Sequence, residues 1–457
     1  MRTSPNEVSV MEIEAGAAGS KMEPVPGIPS VGAQAPAPPA PAEQAEQAEP
    51  GKFKLGLAVN YSVANLGASV VYGLFNFALP PYLATYNLHP ALIGLLANER
   101  SFVGAFVQPV IGRISDRTTS PLGRRRPFFL IGIPLMSVAL LLLATHPPFW
   151  VMFGVMTISA FFLAIAWDPY MAMMADLFPA AHRGRVGGLL GVGTALGNII
   201  FALMAFFLIA NGEFLVFALS TAIMVVCWAY TFFTVKEPAV PAEPNAGQKL
   251  GKITPRQYVR SLREYPEAAK YTLAILFFWM GSGGAVPFIT LFGANVLGAS
   301  ESEVFLLPLA ATLSMAVFAV PWGIFADRTS KKTAMTLGLM MFSVVAVIGS
   351  QSGTLLQGTI VLALIGVGNS AMSLINPMLV DLVPRKRTAE FVGLGSAVFS
   401  FAQPLGSAIA GGIVAGAEQF VGREDAYRWA FIFAGVMTAL AALLLRAVRP
   451  EQFVDKD

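Results

Sequence analysis

The stretch GRISDRTTSPLGRRRPF, residues 112–128, places five arginines and one aspartate in a short polar segment between two long apolar runs. A shorter version, GIFADRTSKK, recurs at residues 323–332 between two other apolar runs. A soluble core has no need for a charged loop that repeats between hydrophobic segments. The repeat therefore predicts a membrane protein with two similar halves, whose helices are joined by charged loops.

The composition is that of a polytopic membrane protein. The chain has 457 residues, of which 55% are hydrophobic and 12% charged, whereas soluble domains carry about 25% charged residues. Its one cysteine, Cys227, and its scattered histidines, His89, His146 and His182, exclude a disulfide framework and argue against a metal site. The sequence also has no phosphate-binding loop. We therefore expect no enzyme, no cofactor, no metal and no nucleic-acid partner.

Apolar runs long enough to cross a bilayer follow one another from residue 55 onward. They predict an all-α fold of twelve transmembrane helices, at 55–84, 91–112, 128–146, 150–176, 186–210, 214–235, 271–297, 304–326, 333–350, 354–381, 390–416 and 428–447. Lysine and arginine are concentrated in alternate connecting loops. By the positive-inside rule, those loops and both chain termini lie in the cytoplasm.

The same pattern divides the chain into five segments. Residues 1–51 are rich in Ala, Pro, Glu and Gln and contain no aromatic residue, which predicts a disordered tail. The remaining segments are predicted as a six-helix half at 52–235, a cytoplasmic central loop at 236–270, a second half at 271–449 and a short cytoplasmic tail at 450–457.

The internal repeat extends beyond the opening motif. Asp116-Arg117 matches Asp327-Arg328, and Asp176-Leu177-x-Pro179 matches Asp381-Leu382-x-Pro384 at a similar spacing. Two such copies indicate parallel six-helix halves with a site between them near the bilayer midplane. This arrangement resembles the major facilitator superfamily.

We expect the repeated charges to form a gate at the cytoplasmic ends of the helices. Charge-assisted hydrogen bonds beside helix ends are strong where they are partly shielded from water. The expected gate joins the first loop to its own arginine run and to helix ends such as Asp381. Its predicted members are Arg113, Asp116, Arg117, Arg124, Arg125, Arg126, Asp176, Arg183, Asp327, Arg328, Asp381 and Arg385.

The motif at 112–128 resembles the sucrose-transporter branch of the glycoside–pentoside–hexuronide cation symporters, which carries G-x-x-S-D-R-x-x-S-x-x-G-R-R-R-P-F. This resemblance implies uptake of a glycoside coupled to a cation, most simply a proton. Two positions depart from it. Met171 stands where the sucrose branch has an arginine tied to sugar binding, which puts sucrose itself in doubt. Gln108 stands where sodium-coupled members have an aspartate, which argues against sodium coupling.

Three charged residues, Glu99, Arg100 and Asp168, lie deep within the predicted helices. A charge at that depth costs at least about 2.5 kcal/mol unless it faces a partner or a cavity. An Arg100–Asp168 ion pair that fixes helix packing would explain two of them. It would leave one carboxylate that a proton could neutralise, so we predict proton coupling, with Asp168 as the main site, Arg100 tuning it and Glu99 as the alternative.

Polar side chains also follow stripes on the predicted helices. At 100° per residue, Tyr61, Asn65, Tyr72 and Asn76 share one face of the first helix, and a second stripe lies on the tenth. Such stripes face protein or water rather than lipid, so they mark either a ligand site or interhelical hydrogen bonds. The predicted substrate-binding residues are Tyr61, Asn65, Tyr72, Asn76, Gln108, Tyr170, Trp279, Asn369, Ser373 and Asn376.

Together these features predict a secondary active transporter that carries a sugar with protons across the cell membrane and acts as a monomer. Two alternatives remain open from the sequence. The protein could carry or export another small organic solute on the same fold. It could also be a non-transporting sensor that retains a transporter fold.

Overall fold

The computed structural model describes residues 53–237, 255–384 and 387–449, and within these ranges every regular element is helical. The predicted tail at 1–51, the central-loop residues 238–254, Arg385 and the predicted tail at 450–457 lie outside the described residues.

The N-terminal group of helices corresponds to the first six predicted spans. Its elements are α1 (Leu55–Gly73), α2 (Leu79–Ala84), α3 (Pro90–Ala97), α4 (Glu99–Arg117), α5 (Pro127–Leu143), α6 (Phe149–Leu177), α7 (Ala180–Leu208) and α8 (Glu213–Thr234).

The C-terminal group begins with a short helix that precedes the seventh predicted span. Its elements are α9 (Pro255–Glu264), α10 (Pro266–Ala285), α11 (Ile289–Asn295), α12 (Leu306–Arg328), α13 (Lys331–Gly349), α14 (Leu355–Ser370), α15 (Ile375–Val380), α16 (Thr388–Ala426) and α17 (Arg428–Ala447).

Ten helical segments in the described ranges are long and apolar enough to cross a membrane. The third predicted span is the apolar but shorter α5, with 17 residues. The second is divided into α3 and α4 at Asn98, whose backbone (φ −112°, ψ 11°) departs from the α-helical conformation. The predicted all-α, multi-pass fold is thus confirmed. One loop prediction was wrong, since residues 417–426 continue α16 around a kink at Gly422.

Several spans are interrupted near their middle. A π-helical turn, Leu74–Ala78, joins α1 to α2, and 3-10 turns at Val286–Phe288 and Ala371–Leu374 interrupt the seventh and tenth spans. Such interruptions free backbone groups inside the protein and are typical of transporter binding sites.

The two groups pack in matching ways. In the N-terminal group α1 lies against α7 and α8, and in the C-terminal group α10 lies against α16 and α17. Glycines permit the close approach in both places. A Cβ atom at Gly197 would lie 2.5 Å from the Leu66 carbonyl oxygen, and one at Gly406 would lie 2.1 Å from that of Met280.

The helix ends define two faces of the protein. We call the end that carries loops 118–126 and 329–330 the basic end, and the end that carries loops 85–89 and 350–354 the far end.

Candidate functional site

Arg100 lies at the start of α4, directly after the break at Asn98. Its guanidinium donates hydrogen bonds to the Asn76 side-chain oxygen (2.6 Å) and to the Ala97 carbonyl (3.1 Å). The Tyr72 ring centre lies 5.4 Å from the guanidinium carbon. The arginine is therefore held by neutral groups and by a cation–π contact rather than by a carboxylate.

Asp168 on α6 is the carboxylate that was expected to pair with this arginine. Among the described residues no ion pair joins the two, so the expected Arg100–Asp168 pair is not formed. Tyr72 lies instead within electrostatic range of both groups, and its ring packs edge-on against Trp167 at 5.5 Å. Asp168 Oδ2 is buried and has no hydrogen-bond partner in the described part of the chain.

Glu99 precedes Arg100 as the first residue of α4. Both of its carboxylate oxygens are buried without a hydrogen-bond partner among the described side chains and backbone. They border a small cavity that is lined by Arg100 and by apolar groups such as Phe75 and Met156, and the Thr157 side chain lies close to the carboxylate. The N-terminal group therefore holds one arginine with neutral partners and two carboxylates with unpaired oxygens.

Two predicted ligand residues, Tyr61 and Tyr170, are instead bound to each other. Each hydroxyl donates to the main-chain carbonyl of the other residue, at 2.7 and 2.8 Å, and the rings stack at 4.5 Å. Both side chains are fully buried. In this conformation the pair joins α1 to α6 and leaves no polar group of either residue for a substrate.

Asn65 likewise joins helices. Its amide donates to the Leu190 carbonyl (2.7 Å) and to the Thr194 hydroxyl (2.9 Å) on α7. The stripe on the first span is therefore divided: only Tyr72 and Asn76 lie at Arg100.

The predicted residues of the C-terminal group lie around the interrupted tenth span. Asn369 donates to the Met315 sulfur at 3.3 Å, and its amide oxygen is buried with no partner in the described ranges. Ser373 and Asn376 are exposed at the 3-10 turn and directly after it.

Trp279 on α10 and Gln108 on α4 occupy different settings. Trp279 packs edge-on against Phe399 of α16 at 4.6 Å. Gln108 is exposed. The structure thus pairs Trp279 with an aromatic ring of a neighbouring helix.

The charged motif forms a network within the N-terminal group at the basic end. Arg125 contacts Asp116 (3.2 Å) and Asp176 (2.5 Å), and Arg124 also contacts Asp176 (2.9 Å). Arg183 donates to two carbonyls at the end of α6, where a positive charge suits the helix dipole.

The matching acid of the C-terminal group has its own partner. Asp381 accepts a hydrogen bond from Lys331 at 2.6 Å, so the expected contact of Asp381 with the first loop is replaced by one inside its own group. Asp327 and Arg328 lie exposed at the end of α12, and Arg113 and Arg117 at that of α4.

A seam of close contacts at the far end joins the two groups, and its residues are not among the predicted site residues. The Asn98 amide donates to the Ser407 hydroxyl (3.1 Å), which donates in turn to the Gly94 carbonyl (2.7 Å). Gly411 lies against Pro90, since a Cβ atom there would be 2.4 Å from the Pro90 carbonyl oxygen. The signal was the four-residue spacing of Pro90, Gly94 and Asn98 and of Ser407 and Gly411, which is typical of close helix pairs.

The two matching acids give a stability prediction. Asp176→Ala removes the shielded partner of Arg125, whose side chain is 7% exposed, and leaves it only Asp116, which is 45% exposed, so we expect a loss toward the lower end of about 3–5 kcal/mol. Asp381→Ala breaks a pair whose side chains are 35% and 46% exposed, worth about 0–1 kcal/mol. We expect a much larger fall in the melting temperature of the purified protein for Asp176→Ala. Equal falls would show that the two networks do not differ in strength.

Comparison with known proteins gives a consistent result. The sequence profile described as Major Facilitator Superfamily matches residues 61–313 and 271–456. The uncharacterized MFS-type transporter YxiO of Bacillus subtilis (strain 168) is 22% identical over 387 residues, which cover 79% of this chain and 85% of that protein.

Shorter matches concern named carriers. The sucrose transport protein SUT5 of Oryza sativa subsp. indica is 28% identical over 145 residues, 27% of each chain. The general alpha-glucoside permease of Schizosaccharomyces pombe (strain 972 / ATCC 24843) is 26% identical over 159 residues, 30% of this chain and 29% of that protein. The chain thus matches little more than a quarter of the length of these two relatives.

Solved structures share the fold. A mutant of the nucleoside transporter NupG superposes with a TM-score of 0.70 at 14% identity, covering 86% of this chain and 99% of that one. A bacterial homolog of the human lysosomal transporter Spinster, in an inward-facing and occupied conformation, gives 0.65 at 16% identity, covering 86% and 95%.

Proposed function

The chain belongs to the Major Facilitator Superfamily and is a multi-pass secondary transporter, not an enzyme, and from this premise we propose that it carries a sugar or glycoside together with a proton. The motif at 112–128 and the partial similarity to sucrose and alpha-glucoside carriers support this substrate class. Met171, in place of the arginine of the sucrose branch, favours a glycoside other than sucrose.

One observation carries the proposal of proton coupling. Asp168 and Glu99 are buried in the spans with unpaired oxygens, while Arg100 is held by neutral groups. One proton on Asp168 would change the charge beside Tyr72 and Arg100, and thereby the electrostatics of the wall that a substrate would meet. We propose Asp168 as the coupling site, with Glu99 as the alternative.

We propose that a sugar is held between the two groups of helices. On the N-terminal side Tyr72 and Trp167 offer ring faces and Asn76 lies beside them. On the C-terminal side Trp279 would offer a ring face, and Ser373 and Asn376 would offer polar contacts. Aromatic rings stack on sugar faces, and amides donate to and accept from sugar hydroxyls.

Orientation follows from the basic loops, and we propose that the basic end faces the cytoplasm of a cell membrane. The seam at Asn98, Ser407 and Gly411 then closes the outer side. In this orientation the structure corresponds to a carrier that is closed to the outside.

Purified protein in lipid vesicles tests the function. With an imposed pH gradient, we expect labelled glycosides to accumulate and the gradient to dissipate faster in their presence. Accumulation of a different organic solute would replace the substrate class and keep the transporter. Ligand binding without any flux, in either direction, would favour a sensor.

A further inference from the structure

The short helix α9, from the segment between the two groups, is attached to the first turn of α16. Arg387, which precedes α16, donates to the Glu264 carboxylate at 2.9 Å. Ser261 hydrogen-bonds to Glu390, in the first turn of α16. The Tyr265 ring lies 5.4 Å from the Arg387 guanidinium carbon and 5.8 Å from the Phe391 ring.

Arg387 lies at a helix end where a positive charge needs a negatively charged partner. Arg387 is the residue that caps the N-terminus of α16, where the helix dipole disfavours a positive charge. Glu264 supplies the compensating negative charge. Hydrogen bonding from Arg260, with the attraction of Arg387, lowers the pKa of Glu264, so the contact persists through the neutral pH range and is lost only in acid.

The far-end part of α16 forms the C-terminal side of the seam and contacts the N-terminal group there. Ser407 and Gly411 lie on this part, and Pro404 lies inside the helix just before them. A proline inside a helix removes one backbone hydrogen bond and permits bending there. The basic-end part of α16, residues 388–400, is tied to α9, and the next residue, Phe401, contacts the N-terminal group, with its ring 6.2 Å from that of Phe102 on α4.

We propose that α9 is a brake on α16, which holds the basic-end part of that helix away from the N-terminal group and so stabilises the conformation seen here. Arg387 and Glu264 act as positioning residues that contact no substrate. The proposal goes beyond the proposed function, because it concerns the conformational balance and does not depend on which solute is carried.

The expected effect follows from the strength of such a pair. Side chains that are 39% and 35% exposed form ion pairs of modest strength, which corresponds to about a two- to fivefold change in the ratio of two conformations. Removal of either partner should shift the ratio toward closure of the basic end. Removal of both should shift it no further than one does.

Distances between spin labels measure this ratio. In a Cys227→Ala background, cysteines at Thr119 and Thr329 report on the basic end, and cysteines at Thr145 and Gln351 report on the far end. For Glu264→Ala, Arg387→Ala and the double variant, we expect more of the short distance at the basic end and more of the long distance at the far end.

Arg260→Ala is the matched control, because it removes the other partner of Glu264 at 2.8 Å and leaves the Arg387 contact in place. This variant should retain the original distances, and all variants should retain the pH dependence of transport. Unchanged distances in Arg387→Ala and Glu264→Ala would overturn the brake, because α9 would then travel with α16 as one body. Additive shifts in the double variant would overturn the pairwise contact, even if glycoside transport is established.

Discussion

Asp168→Asn is expected to abolish accumulation of substrate driven by a pH gradient, while exchange of internal for external substrate continues. The amide has nearly the shape of a protonated carboxyl group but cannot release a proton. The carrier should therefore bind and reorient, yet no longer couple the two fluxes. In vesicles, the ratio of internal to external substrate should fall to equality, and the decay of the pH gradient should no longer depend on substrate.

Two further variants make this result decisive. Glu424→Gln changes an exposed far-end carboxylate and should accumulate substrate like the original protein. If Asp168→Asn still concentrates substrate with the original proton dependence, Asp168 is not the coupling residue, and Glu99→Gln becomes the test. Full coupling in both Asp168→Asn and Glu99→Gln would contradict the role of the buried charges altogether.

Gly411→Ala is expected to open the far-end seam. The added Cβ atom would lie 2.4 Å from the Pro90 carbonyl oxygen and 2.7 Å from the Ala91 Cα atom, and both are backbone atoms that cannot rotate away. Overpacking of this kind typically costs about 1–3 kcal/mol, which corresponds to about a fivefold to 150-fold loss of the sealed conformation. Spin labels at Thr145 and Gln351 should show the longer distance.

Gly412→Ala is the matched control, because a Cβ atom at the next residue would have no neighbour within 4 Å. It should keep the distances, the yield and the melting temperature of the original protein. If Gly411→Ala also keeps the far-end distances, the seam adjusts at little cost and does not set the conformation. A loss of yield in Gly411→Ala alone would still locate the steric conflict at this glycine.

The fold was predictable because its causes are local in the sequence. Length and hydropathy of each run determine which segments can cross a bilayer, and the repeated Asp-Arg loops identify two related halves. The structure adds that the same repeat positions carry related contacts, with Asp176 bound to arginines and Asp381 to Lys331. The division of the second span at Asn98 was not predicted, because it depends on the backbone conformation of one residue.

The candidate site was only partly predictable. The sequence identified Glu99, Arg100 and Asp168, because charge is rare in an apolar run. The sequence could not assign the partners of the polar residues in the spans. In the structure Arg100 binds Asn76, Tyr61 binds Tyr170 and Asn65 binds α7. A polar stripe has the same spacing whether it faces a ligand or a neighbouring helix.

The sequence by itself therefore determined the membrane-spanning fold, the twofold repeat and the rarity of the buried charges, since each depends on residue type and order along one chain. Only the tertiary structure decided which polar groups are used in helix packing, where Asn98 and Ser407 close the far end and how α9 is tied to α16. These features join residues up to 313 positions apart, and they depend on distances of a few ångströms between helices that hydropathy and spacing do not encode.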